Sequence, residues 1–439
     1  MTSRLNMNET SENTAILNRL RERTLPGIGI PDHAVLPDYT GFSILVVPRL
    51  ILNQFGCRTL PVPDVVDQRL GPTEKTDRVL LLILDGVGYL KLQEMIAKHP
   101  SMWLSQAARS GSGTTVPLTS VFPSTTANAV TSFATGLAPQ RHGMLGYRLY
   151  LRETGTITNM IQLSVLGNGH GESAVGAGLD IGTFLGVPTA YEQLGSGGVD
   201  THVVISRHIA SSGLSSLLYR GATTQIHPVI TFSDLTITAR RILQASHGKT
   251  FVSAYWGSPD ATAHVYGPDS DAYEAELLSL DATLAREWGQ LPPDVSVMIT
   301  SDHGMVSMSR EDYLPIAAFP DLQSALLLPP VGEPRANYVH LRNRSAGLSD
   351  AIRDRIETAG LTCIPSREAA EAGLFGADGS VRSETLDRIG DFIITSVGRT
   401  ALYHPYPDAR MLGGMHGGLT DREMIVPLIV TRGGEDRES

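Results

Sequence analysis

Cysteine is nearly absent: Cys57 and Cys363 are the only two in 439 residues. Two thiols cannot build a disulfide framework or a thiolate metal site, so the expected setting is the reducing cytoplasm. Basic charge is also short. Lys and Arg number 35 against 45 Asp and Glu, a formal net charge of −10. That balance excludes a nucleic-acid polymer as the expected partner, because phosphate contacts need a basic surface. No apolar run reaches the length of a membrane span. The most apolar early stretch, Phe42 to Leu52, contains Pro48 and Arg49 and reads as a buried strand or edge segment. Met1 to Pro31 lacks the apolar core of a signal peptide, and neither end carries a lipidation signal. The expectation is therefore no membrane partner. Internal repeats and long low-complexity runs are missing too.

What is present is a globular composition, 41% apolar and 18% charged, which excludes a disordered chain. The length suits two or three average domains, or one large α/β domain with insertions. Residues 78–85 read RVLLLILD, a continuous apolar run ending in a carboxylate. Such a run is the mark of a strand buried on both faces, as in a parallel sheet flanked by helices. Similar runs occur at 201–205, 249–255, 295–300 and 424–431, with helical patterns between them such as Ser270 to Gln290. The fold class predicted is α/β, with a central, mostly parallel sheet and chemistry beyond the carboxyl ends of its strands. Residues 1–70 read as an N-terminal extension packed on the core and 71–305 as the first part of a catalytic core. Residues 306–410 read as an inserted cap lobe, and 411–439 as the segment that closes the core. Residues 145–195 read as Gly-rich and irregular.

Polar residues gather at the strand ends. Asp85 follows the first run, Asp260 and His264 follow FVSAYWGSP, and Asp302 and His303 follow VSVMITS. His416 sits in a Gly-rich loop, GGMHGG. A strand-end Asp alone is ordinarily a cap or turn former. Three carboxylates and three imidazoles at successive strand ends instead form a ligand set for two divalent metals, most simply Zn²⁺. If Asp260 opens a helix, Asp260 and His264 are one turn apart on one face. Ser124, Thr125 and Thr126 precede a small-residue helical run, where a hydroxyl is usually a helix cap. Beside a metal pair, the same hydroxyl becomes a nucleophile whose pKa the ion lowers.

The order Asp, hydroxyl, Asp-x-x-x-His, Asp-His, His resembles the alkaline phosphatase superfamily, closest to its nucleotide pyrophosphatase/phosphodiesterase branch. The motifs are LLILDGVG (81–88), FPSTTANAVTSFATGLAPQRHGMLG (122–146), YWGSPDATAHVYGPDS (255–270), TSDHGM (300–305) and GGMHGGLT (413–420). The resemblance implies an alkaline-phosphatase-like sandwich. It also implies that Asp260, His264 and His416 hold one metal, and that Asp85, Asp302 and His303 hold the other together with the nucleophile. The nucleophile falls on Thr126, with Thr125 and then Ser124 as rivals. Two Zn²⁺ are implied, with Mn²⁺ or another divalent ion able to substitute. The family often has Asn three residues after the nucleophile to bind a phosphoryl oxygen. Ala129 holds that place here, so Asn128 is the expected substitute. Ala127 stands where an aromatic residue commonly follows the nucleophile, which weakens the case for a clamp on a nucleobase.

The reaction implied is in-line phosphoryl transfer through a phospho-threonine, on a small phosphodiester or nucleotide-like substrate. Sulfatases share the fold but need a Cys/Ser-x-Pro-x-Arg motif, and neither cysteine lies in one. A phosphoglycerate mutase would use a Ser nucleophile. Phosphonate hydrolysis, phosphomonoester hydrolysis and a degenerate binding protein on the same fold are the alternatives. Monoesterases of this superfamily typically add an Arg or a third metal. Among nearby cations, Arg141 reads as a surface turn residue, and Arg148 is the one that could reach the site.

Overall fold

The computed structural model describes residues 2–57, 60–70, 75–107, 113–168, 170–221, 224–379 and 381–434. The end of the closing segment, from residue 435, lies outside the described residues. A seven-stranded sheet forms the centre. Its order is Thr114–Thr119, Ile425–Arg432, Val295–Thr300, Arg78–Leu84, Thr250–Trp256, Asp200–Ser206, Thr224–Val229. The Ile425–Arg432 strand runs antiparallel to both neighbours, and the remaining strand pairs are parallel. The Arg78–Leu84 strand shows why its sequence lacks alternation. Val79, Leu81 and Ile83 enter one apolar core, and Leu80, Leu82 and Leu84 enter another on the opposite face. Helices cover both faces, as a buried parallel sheet requires.

Register sets the site. Leu84 is level with Trp256, and Ile83 is level with Thr300. Asp85, the start of the Ser258–Tyr266 helix and Asp302 therefore emerge together at one end of the sheet. Gly86 takes φ +74°, and a Cβ there would meet the Asp260 backbone at 3.0 Å.

A second seven-stranded sheet is antiparallel throughout. Its order is Thr362–Pro365, Phe392–Thr395, Ala336–Val339, Val331–Glu333, Arg148–Leu151, Thr156–Asn159, Ser164–Val165. Residues 148–165, expected to be irregular, supply three of its strands. The expected strand at Phe42–Leu52 is instead the helix Val46–Gln54, preceded by a single bridge from Ser43 to Thr119. A short apolar run does not distinguish a buried strand from a buried helix. Pro48 fits because the first-turn N–H groups of a helix have no intrahelical acceptor. No helix among the described residues is long and apolar enough to cross a membrane.

Candidate active site

The structure brings Asp85, Thr126, Asp260, His264, Asp302, His303 and His416 into one centre. Two groups form within it: Asp260 with His264 and His416, and Asp85 with Asp302 and His303. In each, one ligand atom per residue lies within 4.8 Å of the others. The groups adjoin, because the His303 and His416 rings stack with centroids 3.7 Å apart. Asp260 and His264 share one face of the Ser258–Tyr266 helix, with His264 Nε2 at 3.3 Å from Asp260 Oδ1. His416 Nε2 is 3.7 Å from the same oxygen. His303 Nε2 lies 3.4 Å from Asp85 Oδ1 and 3.5 Å from Asp302 Oδ2.

Two observations test whether these residues fit metal ions. The buried oxygens Asp85 Oδ1, Asp260 Oδ1 and Asp302 Oδ2 have no hydrogen-bond partner. A buried carboxylate oxygen left so is costly unless a cation meets it. Each histidine, in turn, has Nδ1 on a backbone carbonyl: His264 on Gly414 at 2.8 Å, His303 on Gly304 at 3.1 Å and His416 on Ser124 at 3.0 Å. An N–H donated there leaves the Nε2 lone pair free, which is the usual arrangement of a metal-ligating histidine. Burial, followed by the Asp302 and Asp260 charges, pushes the Asp85 carboxyl up. Burial and then the charges of His303 and His264 push His416 down. The donor set fits two divalent ions.

Thr126 opens the Thr126–Thr135 helix, and its Oγ1 is 3.1 Å from His303 Nε2. Thr125 is the N-cap, but its side chain does not cap. Its hydroxyl donates to Glu333 Oε1 at 2.6 Å, which removes it from the metal groups. Ser124 donates to the Gly418 carbonyl. Of the three hydroxyls, only that of Thr126 faces the ligands. The first-turn N–H groups of this helix have no intrahelical acceptor, a setting that favours an anion at the helix start.

Asn128 is not brought to the site. It is fully buried, and its amide donates to the Pro123 carbonyl at 2.9 Å. Two residues beyond Thr126 on a helix is the far side, so the expected substitution for Asn does not operate. Arg141 pairs with Asp378 at the surface.

Thr126 stands where two cavities meet. One, about 340 Å³, is lined by Tyr147, Arg148, Glu333, Tyr406, His264 and His416. The other, about 470 Å³, is lined by Asp85, Ile209, Leu218, Tyr219, Ile230 and Trp256. Thr126 and Asp260 border both. Sequence reasoning missed Tyr255, whose hydroxyl donates to Asp85 Oδ2. The signal was register: Tyr255 is level with Ile83, so its side chain shares a face with Asp85. It missed Glu333 as well, whose short strand carries no pattern.

The sequence model for type I phosphodiesterase / nucleotide pyrophosphatase matches residues 79–419. Ectonucleotide pyrophosphatase/phosphodiesterase family member 7 of Rattus norvegicus is 30% identical over 79 residues, 16% of this chain and 18% of that protein. The chain thus aligns with about a fifth of that relative's length. Among solved structures, murine ectonucleotide pyrophosphatase/phosphodiesterase 5, an inactive variant in complex with AMP, aligns with TM-score 0.59 and 17% identity over 81% of this chain and 88% of its own. Phosphonoacetate hydrolase from Sinorhizobium meliloti, in complex with phosphonoformate, aligns with TM-score 0.58 and 20% identity over 81% and 90%. With the motifs, the fold and the family match in agreement, the chain belongs to the type I phosphodiesterase / nucleotide pyrophosphatase family.

Proposed function

We propose that the protein hydrolyses small phosphodiesters or pyrophosphates, nucleotide-like compounds among them, through a phosphorylated Thr126. The observation that carries this reading is the junction of two cavities at Thr126. A diester has two substituents, and each cavity takes one. The proposed ions are two Zn²⁺, for which Mn²⁺ can substitute. Asp260, His264 and His416 would hold one; Asp85, Asp302 and His303, with Thr126, the other. When bound, such ions would supply positive charge to the phosphoryl group and acidify hydroxyls beside them.

The chain's own residues do the rest. Thr126 Oγ1 attacks phosphorus in line, and the leaving oxygen departs on the opposite side. The first-turn N–H groups of its helix receive a phosphoryl oxygen, because Thr125 is held by Glu333 and does not cap them. Tyr255 orients the Asp85 carboxylate. Water then cleaves the threonine ester. The murine neighbour crystallised with AMP is an inactive threonine-to-alanine variant, which supports a threonine in this role. The cytoplasm remains the proposed compartment, consistent with unpaired Cys57 and Cys363. The test compares bis-p-nitrophenyl phosphate with p-nitrophenyl phosphate on one preparation. The diester should give the higher kcat/KM. A monoester value equal or higher would overturn the diester reading.

A further inference from the structure

The smaller cavity contains a cation that the attack of Thr126 does not require. Arg148 begins the Arg148–Leu151 strand, beside the Val331–Glu333 strand of the second sheet. Its guanidinium carbon lies 4.6 Å from the centroid of the Tyr147 ring and 4.7 Å from that of Tyr406. Both rings are themselves anchored. Tyr406 donates to the Pro330 carbonyl at 2.9 Å, and Asn159 donates to the Tyr147 hydroxyl at 2.7 Å. The guanidinium is therefore fixed, and its side chain is only 10% exposed. Its anionic partner is Asp408, with Nη2 to Oδ1 at 2.7 Å. Asp408 differs in kind: it lies outside regular structure, and its side chain is 49% exposed. Both line the cavity with Thr126, His264 and His416.

We propose that Arg148 receives a second anionic group, phosphate or carboxylate, carried on the leaving arm of the substrate, and that Asp408 is an internal stand-in which this group displaces. A buried guanidinium between rings matches a planar or tetrahedral oxyanion and is set in place before binding. Releasing Asp408 costs little, because half of its side chain already meets water. In-line displacement puts the leaving oxygen on the side of phosphorus away from Thr126 Oγ1, and the Asp260, His264 and His416 group lines the cavity that holds Arg148. The inference rests on Thr126 being the attacking residue, as proposed above. Its consequence is a substrate class: phosphoryl compounds whose leaving group bears its own negative charge.

The test uses the full chain in native, Arg148→Ala, Arg148→Lys and Asp408→Asn forms. Rates are measured on a nucleoside triphosphate, on phosphonoacetate and on bis-p-nitrophenyl phosphate, whose arm is neutral. Binding of inorganic pyrophosphate is titrated by calorimetry in parallel. For Arg148→Ala, the ratio of kcat/KM on an anionic-arm substrate to that on the neutral diester should fall at least about tenfold, and pyrophosphate should bind at least about tenfold more weakly. Arg148→Lys should recover part of both. Asp408→Asn should move both the opposite way by about threefold or more, because the competitor is gone. Which anionic-arm substrate loses the rate tells phosphate from carboxylate. Unchanged ratios with unchanged pyrophosphate binding would overturn the proposal, as would an equal loss on every substrate, the mark of a mere loop clip. If the native chain turns over none of the three, the phosphodiesterase reading fails, and the pyrophosphate titration still decides the role of Arg148.

Discussion

Replacing Arg335 by Met should cost the protein stability and loosen the His416 loop together. Arg335 and Glu423 are both fully buried, and they meet through two bonds, Nε to Oε1 at 2.6 Å and Nη2 to Oε2 at 2.7 Å. Arg335 lies in the turn between the Val331–Glu333 and Ala336–Val339 strands of the second sheet; Glu423 belongs to the segment that carries His416. Glu423 also accepts from the Gly418 N–H at 2.8 Å, and its carbonyl accepts from the Gly304 N–H at 2.8 Å. One pair thus ties the second sheet to the loops that carry His303 and His416. Removing one partner leaves a buried, uncompensated charge, which costs about 3–5 kcal/mol. For a chain of 439 residues, the entropy of unfolding is about 0.9 kcal/mol per kelvin, so Tm should drop by about 4 °C. Arg335→Met with Glu423→Leu should cost less than the two single losses added, because no charge is stranded. Calorimetry of the four forms, with metal content measured on each, reads both effects. Single variants losing under about 1 kcal/mol, or a double variant as unstable as the two losses added, would refute the reasoning.

Elemental analysis of carefully purified protein should find two divalent ions per chain, and chelation should abolish turnover; full activity with less than one ion would contradict the site. Thr126→Ala should lower kcat by several orders of magnitude with metal content kept, whereas Thr125→Ala should act mainly through Glu333 and fall less. His142 is buried, with Ser132 Oγ at 2.9 Å from Nε2 and the Met144 N–H on Nδ1, and burial, then Arg382 and Arg388, push its pKa down from 6.5 to about 3. The unfolded chain binds that proton first, so the His142 contribution is complete above pH 6.5 and lost as pH falls toward about 3. Thermal melts of His142→Asn should show a shallower acid loss than native protein in that window; parallel curves would show that His142 does not contribute.

The convergence of Asp85, Asp260 and Asp302 was legible because each follows an apolar run that forms a strand of the central sheet. Asp260 and His264 were legible because a four-residue spacing has one meaning on a helix. Asn128 was misjudged for the same periodicity read too loosely: it follows Thr126 by two, not three or four, and so turns into the core. The Phe42–Leu52 run concealed a helix because burial on all sides erases the period. Two strands of the second sheet showed in the short apolar runs 337–341 and 391–395, but the sheet as a whole escaped because its strands have two to four residues, too few for alternation to show. Arg148, Tyr147 and Glu333 meet only through that sheet, so their convergence on the cavity beside Thr126 is a fact of topology, not of local pattern.

The most direct measurement is to quench turnover of bis-p-nitrophenyl phosphate rapidly in acid and map the phosphorylated residue by peptide mass spectrometry. A nitrophenyl-phosphoryl group on Thr126, absent from Thr126→Ala, is the expected result. Turnover with no covalent adduct, or an adduct on Thr125 or Ser124, would contradict Thr126 as the attacking residue.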